Sequence, residues 1–108
     1  MARQVRWTEI AWRDLQQVAD YIARDSRHYA AGFVRRVRNA ARSLNLFPKR
    51  GRMVPEFGHE DVREIFVGRY RLIYHVADSR YVDVLAFIHG ARDLLSTWER
   101  ESRPDPTA

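Results

Sequence analysis

Several acidic, imidazole and guanidinium side chains in the second half of the chain are of the types that could cleave an RNA backbone. That reaction needs a base for the ribose 2′-hydroxyl, an acid for the leaving oxygen and cations that stabilise the charge developing on the phosphate. Glu56 or His89 could be the base, and His89 or His75 the acid. The arginines that could hold the phosphate are Arg63, Arg71 and Arg92. Such a cleavage requires neither a metal nor a cofactor.

Two of these arginines also have a structural interpretation. A two-residue turn at Gly68-Arg69 would pair Glu64 with Ile73 across two strands. Glu64 and Arg71 then become diagonal neighbours on one face of the sheet, so an ion pair between them is an alternative to a functional Arg71. The same register places Arg63 on the opposite face. Arg63 and Arg71 could therefore hold one phosphate only if a bulge shifted the pairing.

The remaining candidates have alternatives of the same kind. Glu56 lies in a loop after a proline, where a carboxylate can simply be solvated. His89 ends a strand, where a hydrogen bond to the backbone would satisfy its ring. Trp98 is a candidate contact for a partner, but tryptophan also serves as a packing residue. A catalytic and a purely structural interpretation both stay open at this point.

The residue content excludes several classes of site. There is no cysteine, which excludes a disulfide scaffold, a thiol nucleophile and a zinc site built on thiolates. The four histidines show no metal-ligand spacing, so no metal site is expected. The N-terminus has no apolar signal region and no apolar run reaches membrane-spanning length. We therefore expect a cytoplasmic protein with no membrane partner.

The positive charge of the chain is concentrated in one region. The 108 residues carry a net charge of +5. The segment from Arg24 to Arg52 contains nine basic residues and a single acidic one, so the rest of the chain is mildly acidic. The basic patch predicted from this segment comprises Arg35, Arg38, Arg42, Lys49, Arg50 and Arg52. A localised patch of this kind indicates an acidic partner, either a nucleic acid or an acidic protein segment, although a solvated helix face is also consistent with it.

The first half of the chain has the periodicity of two helices. A short strand at 5–7 precedes a helix that Thr8 caps and that continues to about Ala23. After a tight connection at 25–28, a second helix runs to Pro48, so the two helices form an antiparallel hairpin. The apolar stripe of the second helix comprises Phe33, Val34, Val37, Ala41, Leu44 and Phe47.

Three antiparallel strands and a short helix are predicted for the second half. The strands cover 62–67, 70–76 and 81–89, and the helix covers 93–100. The last strand is apolar on both faces and should lie centrally. The order is thus β-α-α-β-β-β, an α+β fold in a single domain over 1–101 with a flexible tail over 102–108. Because two helices cover one face of the sheet, the other face is either a groove for a partner or is closed by the C-terminal helix.

Several short motifs follow one another in a distinctive order and spacing. They are Trp12-Arg13-Asp14-Leu15, Phe47-Pro48-Lys49-Arg50-Gly51-Arg52, Val62-Arg63-Glu64-Ile65, Tyr70-Arg71-Leu72-Ile73-Tyr74 and Ile88-His89-Gly90-Ala91-Arg92-Asp93. Together they resemble the RelE/ParE superfamily of bacterial type II toxins, over roughly Arg3 to Leu95. The resemblance implies a small toxin that a cognate antitoxin neutralises, with a toxin–antitoxin heterotetramer as one form of the complex.

The superfamily divides by target, and this chain looks more like ParE. ParE-like members act on DNA gyrase, whereas RelE-like members cut mRNA in the ribosome and often carry a C-terminal tyrosine for the reaction. Here the helix hairpin is long and no tyrosine follows Tyr81. The resemblance therefore implies a toxin that inhibits DNA gyrase and replication by binding rather than by catalysis. The target-binding residues would be Arg63, Arg71, His89, Arg92 and Trp98.

Two alternatives to gyrase inhibition stay open. The first is a ribosome-dependent, metal-independent mRNA endoribonuclease, in which Glu56, Arg71 and His89 would be catalytic because they fall where some ribosome-dependent members keep functional residues. The second is an inactive member of the superfamily that is retained as a binding module.

Overall fold

The elements of the computed structural model, which describes residues 2–107, follow the predicted α+β order with one extra strand. In chain order they are β1 (Gln4–Trp7), α1 (Glu9–Ala23), α2 (Arg27–Arg42), β2 (Arg52–Met53), β3 (Val62–Val67), β4 (Tyr70–Val76), β5 (Tyr81–His89) and α3 (Leu94–Arg100). The extra strand is β2, which lies in a segment predicted as loop. Within the described residues, no helix combines the length and the apolar character that crossing a bilayer requires.

The five strands form one mixed sheet in the order β1-β5-β4-β3-β2. β1 runs parallel to β5, and all other neighbours are antiparallel. β5 thus lies inside the sheet, as its two apolar faces predicted. Gly68, at a φ of +58°, makes the turn between β3 and β4 and sets the predicted pairing of Glu64 with Ile73. The one shift of register falls between β4 and β5, after Ile73, and leaves the β3–β4 pairing regular.

The two helices pack antiparallel on one face of the sheet and enclose the main core. The Thr8 hydroxyl accepts from the Ala11 amide and caps α1, as predicted. The prediction that α2 reaches Pro48 was wrong, because α2 ends at Arg42 and a 3-10 turn follows over Ser43–Asn45. The tighter turn keeps Leu44 buried but rotates Phe47 away from the stripe, and Phe47 is 65% exposed.

The second face of the sheet is closed by two segments. Val54 and Phe57 from the β2–β3 loop pack there together with Leu94 and Trp98 of α3. The sheet residues beneath them are Val62, Ile73, Ala86 and Ile88. The interpretation of this face as an open groove was therefore wrong. The C-terminal helix covers the face, but only with the help of a loop that the hydrophobic pattern did not place there.

The segment after α3 makes definite contacts with the domain. Both terminal nitrogens of Arg103 lie 2.8 Å from the Asp14 carboxylate on α1, and the side chain of Arg103 is 5% exposed. The Trp98 indole donates a hydrogen bond to the Pro104 carbonyl oxygen at 2.8 Å. The first part of the segment predicted as a flexible tail is thus attached to both α1 and α3, while residue 108 lies outside the described residues.

Candidate functional site

Arg71 on β4 is enclosed by two carboxylates. Its Nε donates to Glu64 at 2.5 Å, and its two terminal nitrogens donate to the Glu56 carboxylate at 2.7 and 2.8 Å. The Arg71 side chain is 6% exposed and that of Glu64 is fully buried. The ion pair between Arg71 and Glu64 that the strand register predicted is confirmed. The bidentate pair with Glu56 adds a partner from the β2–β3 loop. Strand register could not predict this pair, because Glu56 does not lie on a strand.

The charges of this network hold one another in their ionised forms. The hydrogen bonds from Arg71 lower the pKa of Glu56, and those from Arg71 to Glu56 and Glu64 raise the pKa of Arg71 despite its burial. Glu56 is therefore a carboxylate whose proton affinity is reduced and whose two oxygens are both engaged. Each of these effects makes it a weaker general base than a solvated glutamate.

Arg52 extends the network to the surface at the sheet edge. Its Nε donates to the second oxygen of Glu64 at 2.6 Å, and its guanidinium lies 5.7 Å from the centre of the exposed Phe66 ring. The contact exists because β2 pairs Arg52 directly with Glu64. Sequence reasoning placed Arg52 in the basic patch and missed this role, since a two-residue strand leaves no periodic signal.

His89 lies on the other face of the sheet from Glu56 and Arg71. It is paired with Tyr70 across β4 and β5, and their rings meet edge to face at 5.2 Å. The two side chains share a shallow cavity with Gln17 and Tyr21 of α1, on the helix side. The Nδ1 atom accepts a hydrogen bond from the Ala91 amide at 3.0 Å, so the predicted bond to the backbone is present. The three candidate catalytic residues do not form one site.

Two of the arginines proposed to hold a phosphate, Arg63 and Arg71, are also separated. Arg63 pairs with the core residue Tyr74, which places it on the helix side, and its Nη1 donates to the Gly51 carbonyl at 2.9 Å. Its Nε is buried and has no hydrogen-bond partner among the described residues. Arg92 lies after β5, where it is 43% exposed and pairs with Glu101 at 3.1 Å. Arg71 lies on the α3 side of the sheet, so Arg63 and Arg71 do not face the same point.

Trp98 is a packing residue in this structure. It is 8% exposed, and its ring meets that of Phe57 edge to face at 5.0 Å. The guanidinium of Arg103 lies 5.5 Å from the indole centre. Little of the side chain is left for a partner, in agreement with the packing interpretation of this tryptophan.

The predicted basic patch divides into two groups and one separate residue, Arg35. Arg38 and Arg42 line a polar cleft beside β1 together with Arg3, whereas Arg35 of the same helix is exposed outside that cleft. The other members bond to neighbouring residues: Lys49 to Glu60, Arg50 to Ser43 and Arg52 to Glu64. No group of three or more potential metal ligands occurs within residues 2–107.

Residues 5–94 match the family described as ParE toxin of type II toxin–antitoxin system, parDE. The chain belongs to the ParE toxin family. Its relatives include Toxin RelE2 of Caulobacter vibrioides, which is 37% identical over 90 residues that make up 82% of this chain and 97% of the relative. Both names fall within the RelE/ParE superfamily that the motifs indicated.

Two solved structures resemble this ParE-family fold. The chromosomal ParDE system from P. aeruginosa superposes with a TM-score of 0.67 at 18% identity and covers 82% of this chain and 96% of its own. The RelBE2 toxin–antitoxin complex from Mycobacterium tuberculosis gives a TM-score of 0.51 at 26% identity, over 82% of this chain and 99% of its own. The family match ends at Leu94, so most of α3 and the Arg103 contact lie beyond it.

Proposed function

We propose that this ParE-family chain inhibits DNA gyrase by binding, acts in the bacterial cytoplasm and is neutralised by a cognate antitoxin. The observation that carries the binding mechanism is the separation of Glu56 and Arg71 from His89 by the sheet itself. A general base, a general acid and a phosphate clamp must all reach the same phosphate. Moving His89 to the Arg71 face would require a slip of β5 by one residue, which would turn the apolar residues of that strand to the wrong faces.

The antitoxin partner is supported by the relatives. The family is described as part of a toxin–antitoxin system, and the two structural relatives are described as toxin–antitoxin systems or complexes. An excess of arginine on this chain gives an acidic partner a charge to bind, since the net charge is +5.

The surface that we assign to gyrase is the segment after β5. Gly90, Ala91 and Arg92 are exposed there, and Leu95 on the first turn of α3 is 51% exposed. An exposed arginine beside an exposed leucine is a combination that suits a protein interface. Arg71, Arg63 and Trp98 are assigned to support of the fold, because each is engaged inside the domain.

The test of the function is induction of the chain from a tightly repressed promoter in bacteria, with parallel pulse-labelling of DNA and protein synthesis. We expect DNA synthesis to stop first while translation continues, and purified chain to inhibit supercoiling by gyrase. Arg92→Glu should abolish the arrest, whereas Arg24→Glu, an exposed change of equal charge at the α1–α2 turn, should leave it intact.

Two results would contradict the proposed inhibition of gyrase. If protein synthesis stops first, and if Glu56→Gln and His89→Ala abolish mRNA cutting in chains that still fold and bind antitoxin, the chain is a ribosome-dependent endoribonuclease. Normal growth, with the folded protein present and no antitoxin gene supplied, would contradict toxicity itself.

A further inference from the structure

A polar cleft lies between β1, at one edge of the sheet, and the end of α2. It has a volume of about 360 Å³. Three arginines line it together with carboxamide and apolar side chains: Arg3, Arg38 and Arg42, with Gln4, Val5, Trp7 and Asn45. No aspartate or glutamate of residues 2–107 is part of this lining. The cleft therefore has the charge of a site for an anion.

The guanidinium groups of the cleft are not neutralised by carboxylates. Within residues 2–107, neither Arg38 nor Arg42 forms a salt bridge. The Nε of Arg3 donates to the main-chain carbonyl oxygen of Asp78 at 2.9 Å, a neutral acceptor that does not compensate the charge. The Asp78 carboxylate itself accepts from two amides of the turn that follows it, at 2.7 and 2.9 Å. Three positive charges are thus left for a ligand.

The chemistry of these three side chains matches a chain of phosphate groups. A guanidinium binds a phosphate through two parallel hydrogen bonds, and it stays charged throughout the physiological pH range. Arg38 and Arg42 are four residues apart and so share one face of α2, while Arg3 lines the cleft from the β1 side. A single phosphate would leave part of this charge unpaired, whereas two or three linked phosphates supply negative charge for all three arginines.

The form of the cleft favours a small ligand over a nucleic acid backbone. The Arg3 amide donates to the Asn45 carbonyl oxygen at 2.8 Å, which connects the strand wall of the cleft to the helix wall. Arg35, one turn earlier on α2, is exposed outside the cleft. The arginines of α2 therefore do not converge on one continuous stripe. A duplex would need such a stripe, because its phosphates follow one another along an extended surface.

We propose that this cleft binds a nucleotide that carries two or three phosphates. Arg3, Arg38 and Arg42 hold the phosphate chain. The partly exposed indole of Trp7 offers the base a flat aromatic surface, and the Asn45 carboxamide offers it both donors and an acceptor. The proposal does not depend on the target of the toxin, since it uses none of the residues assigned to gyrase.

The experiment measures binding of ATP to the purified chain by isothermal titration calorimetry, in buffer without divalent cations. ATP should bind at least about tenfold more tightly than AMP, because the added phosphates reach guanidinium groups that one phosphate leaves unpaired. Arg38→Glu combined with Arg42→Glu, both at exposed positions, should weaken the affinity for ATP by at least about tenfold. The matched control combines Arg27→Glu and Arg35→Glu, which makes the same change of charge on α2 outside the cleft and should leave the affinity nearly unchanged.

Inorganic triphosphate tests whether the base contributes to binding. We expect it to displace ATP but to bind more weakly, because it has no base to place against Trp7. Equal affinity for ATP and AMP, equal affinity of the cleft variant, or triphosphate binding as tight as that of ATP would each overturn the proposal. So would tighter binding of a short DNA duplex that Arg35→Glu weakens as much as Arg38→Glu does. Because the assay involves neither gyrase nor cell growth, its failure would leave the proposed function standing, and the reverse also holds.

Discussion

Glu64 is the residue on which two arginines depend. Its side chain is fully buried, and its two oxygens accept from Arg71 at 2.5 Å and from Arg52 at 2.6 Å. A buried ion pair contributes little net stability compared with apolar residues, but removing one partner leaves a buried charge without compensation. Replacing Glu64 alone should therefore cost more stability than replacing Glu64 and its arginine partners together.

Glu64→Gln should lower the free energy of unfolding by about 3 kcal/mol, since Arg71 stays buried with one carboxylate fewer. Urea denaturation followed by tryptophan fluorescence measures the change. Glu60→Gln is the control, because Glu60 is 74% exposed and meets Lys49 only at 3.5 Å. A loss below about 1 kcal/mol for Glu64→Gln, similar to that expected for an exposed pair, would contradict the account of this network.

Glu56 should make stability depend on pH in the acid range. Its folded pKa lies below the ordinary value of 4.5 because Arg71 donates to the carboxylate. The resulting stabilisation is complete above the unfolded pKa and is lost as the pH falls through the folded pKa. The unfolding free energies of the unchanged chain and of Glu56→Gln should therefore differ most at neutral pH and converge below pH 4.5. A difference that stays constant across that window would show that the charge of Glu56 has no such role.

At the scale of elements, the short strand β2 depends on a close approach of two backbones. Gly51 is buried, and a Cβ there would collide with the Glu64 carbonyl oxygen and lie 2.7 Å from the Tyr74 hydroxyl oxygen. That hydroxyl accepts from the Gly51 amide at 3.0 Å. The contact fixes the entry into β2 and, through it, the position of Arg52 over Glu64.

Gly51→Ala should cost about 2 kcal/mol of unfolding free energy because neither the carbonyl nor the core tyrosine can move away. Gly32→Ala is expected to have the opposite effect on stability. Gly32 lies inside α2, and its Cβ would meet only the flexible end of Arg35 at 3.7 Å. Here alanine should raise stability by about 0.5 kcal/mol or more through its helix propensity. Thermal unfolding of both variants compares the signs directly, and equal signs would refute the close-approach argument.

The contact between Arg103 and Asp14 connects the segment after α3 to α1 and so helps to hold α3 in place. Arg103→Gln should destabilise the protein by about 3 kcal/mol, because Asp14 would keep its buried charge without the guanidinium. It should also increase the hydrogen exchange of the α3 amides, since the Trp98 indole loses the Arg103 guanidinium that lies over it. Arg100→Gln, an exposed change at the end of α3, should do neither. Unchanged exchange in Arg103→Gln would indicate that α3 is held by its apolar face alone.

At the scale of the whole molecule, the sequence predicted what depends on periodicity and local pairing. The helix hairpin, the central position of β5 and the pairing of Glu64 with Ile73 all follow from apolar spacing and a glycine turn. Contacts between distant segments could not be predicted in this way. The Glu56–Arg71 pair and the Arg103–Asp14 pair join a loop and a tail to the sheet and to α1, and neither a loop nor a tail carries a period.

The candidate site was predictable in its members more than in its arrangement. Arg71 and Glu64 were paired correctly because they share one hairpin. His89 was grouped with Glu56 and Arg71 by chemistry and by resemblance, but the alternation of side chains along β4 and β5 places it on the face opposite Arg71 and the Glu56 that Arg71 binds. Arg52 and Asp14 were missed as ionic partners, since their roles appear only when β2 and the C-terminal segment are in place.

The parallel pairing of β1 with β5 joins segments that lie far apart along the chain, and this has a consequence for synthesis. Arg6 bonds to Asp83, 77 positions later, so the ribosome makes β1 and the two helices well before the strand that lies between β1 and β4. Contacts so distant along the chain form late and slowly. A nascent chain that still lacks β5 has no strand to join β1 to β4. It also lacks the strand against which α1 packs. The sheet that joins β1 to β4 therefore cannot assemble before β5 has been synthesised, although both helices that pack on it precede β5 in the chain.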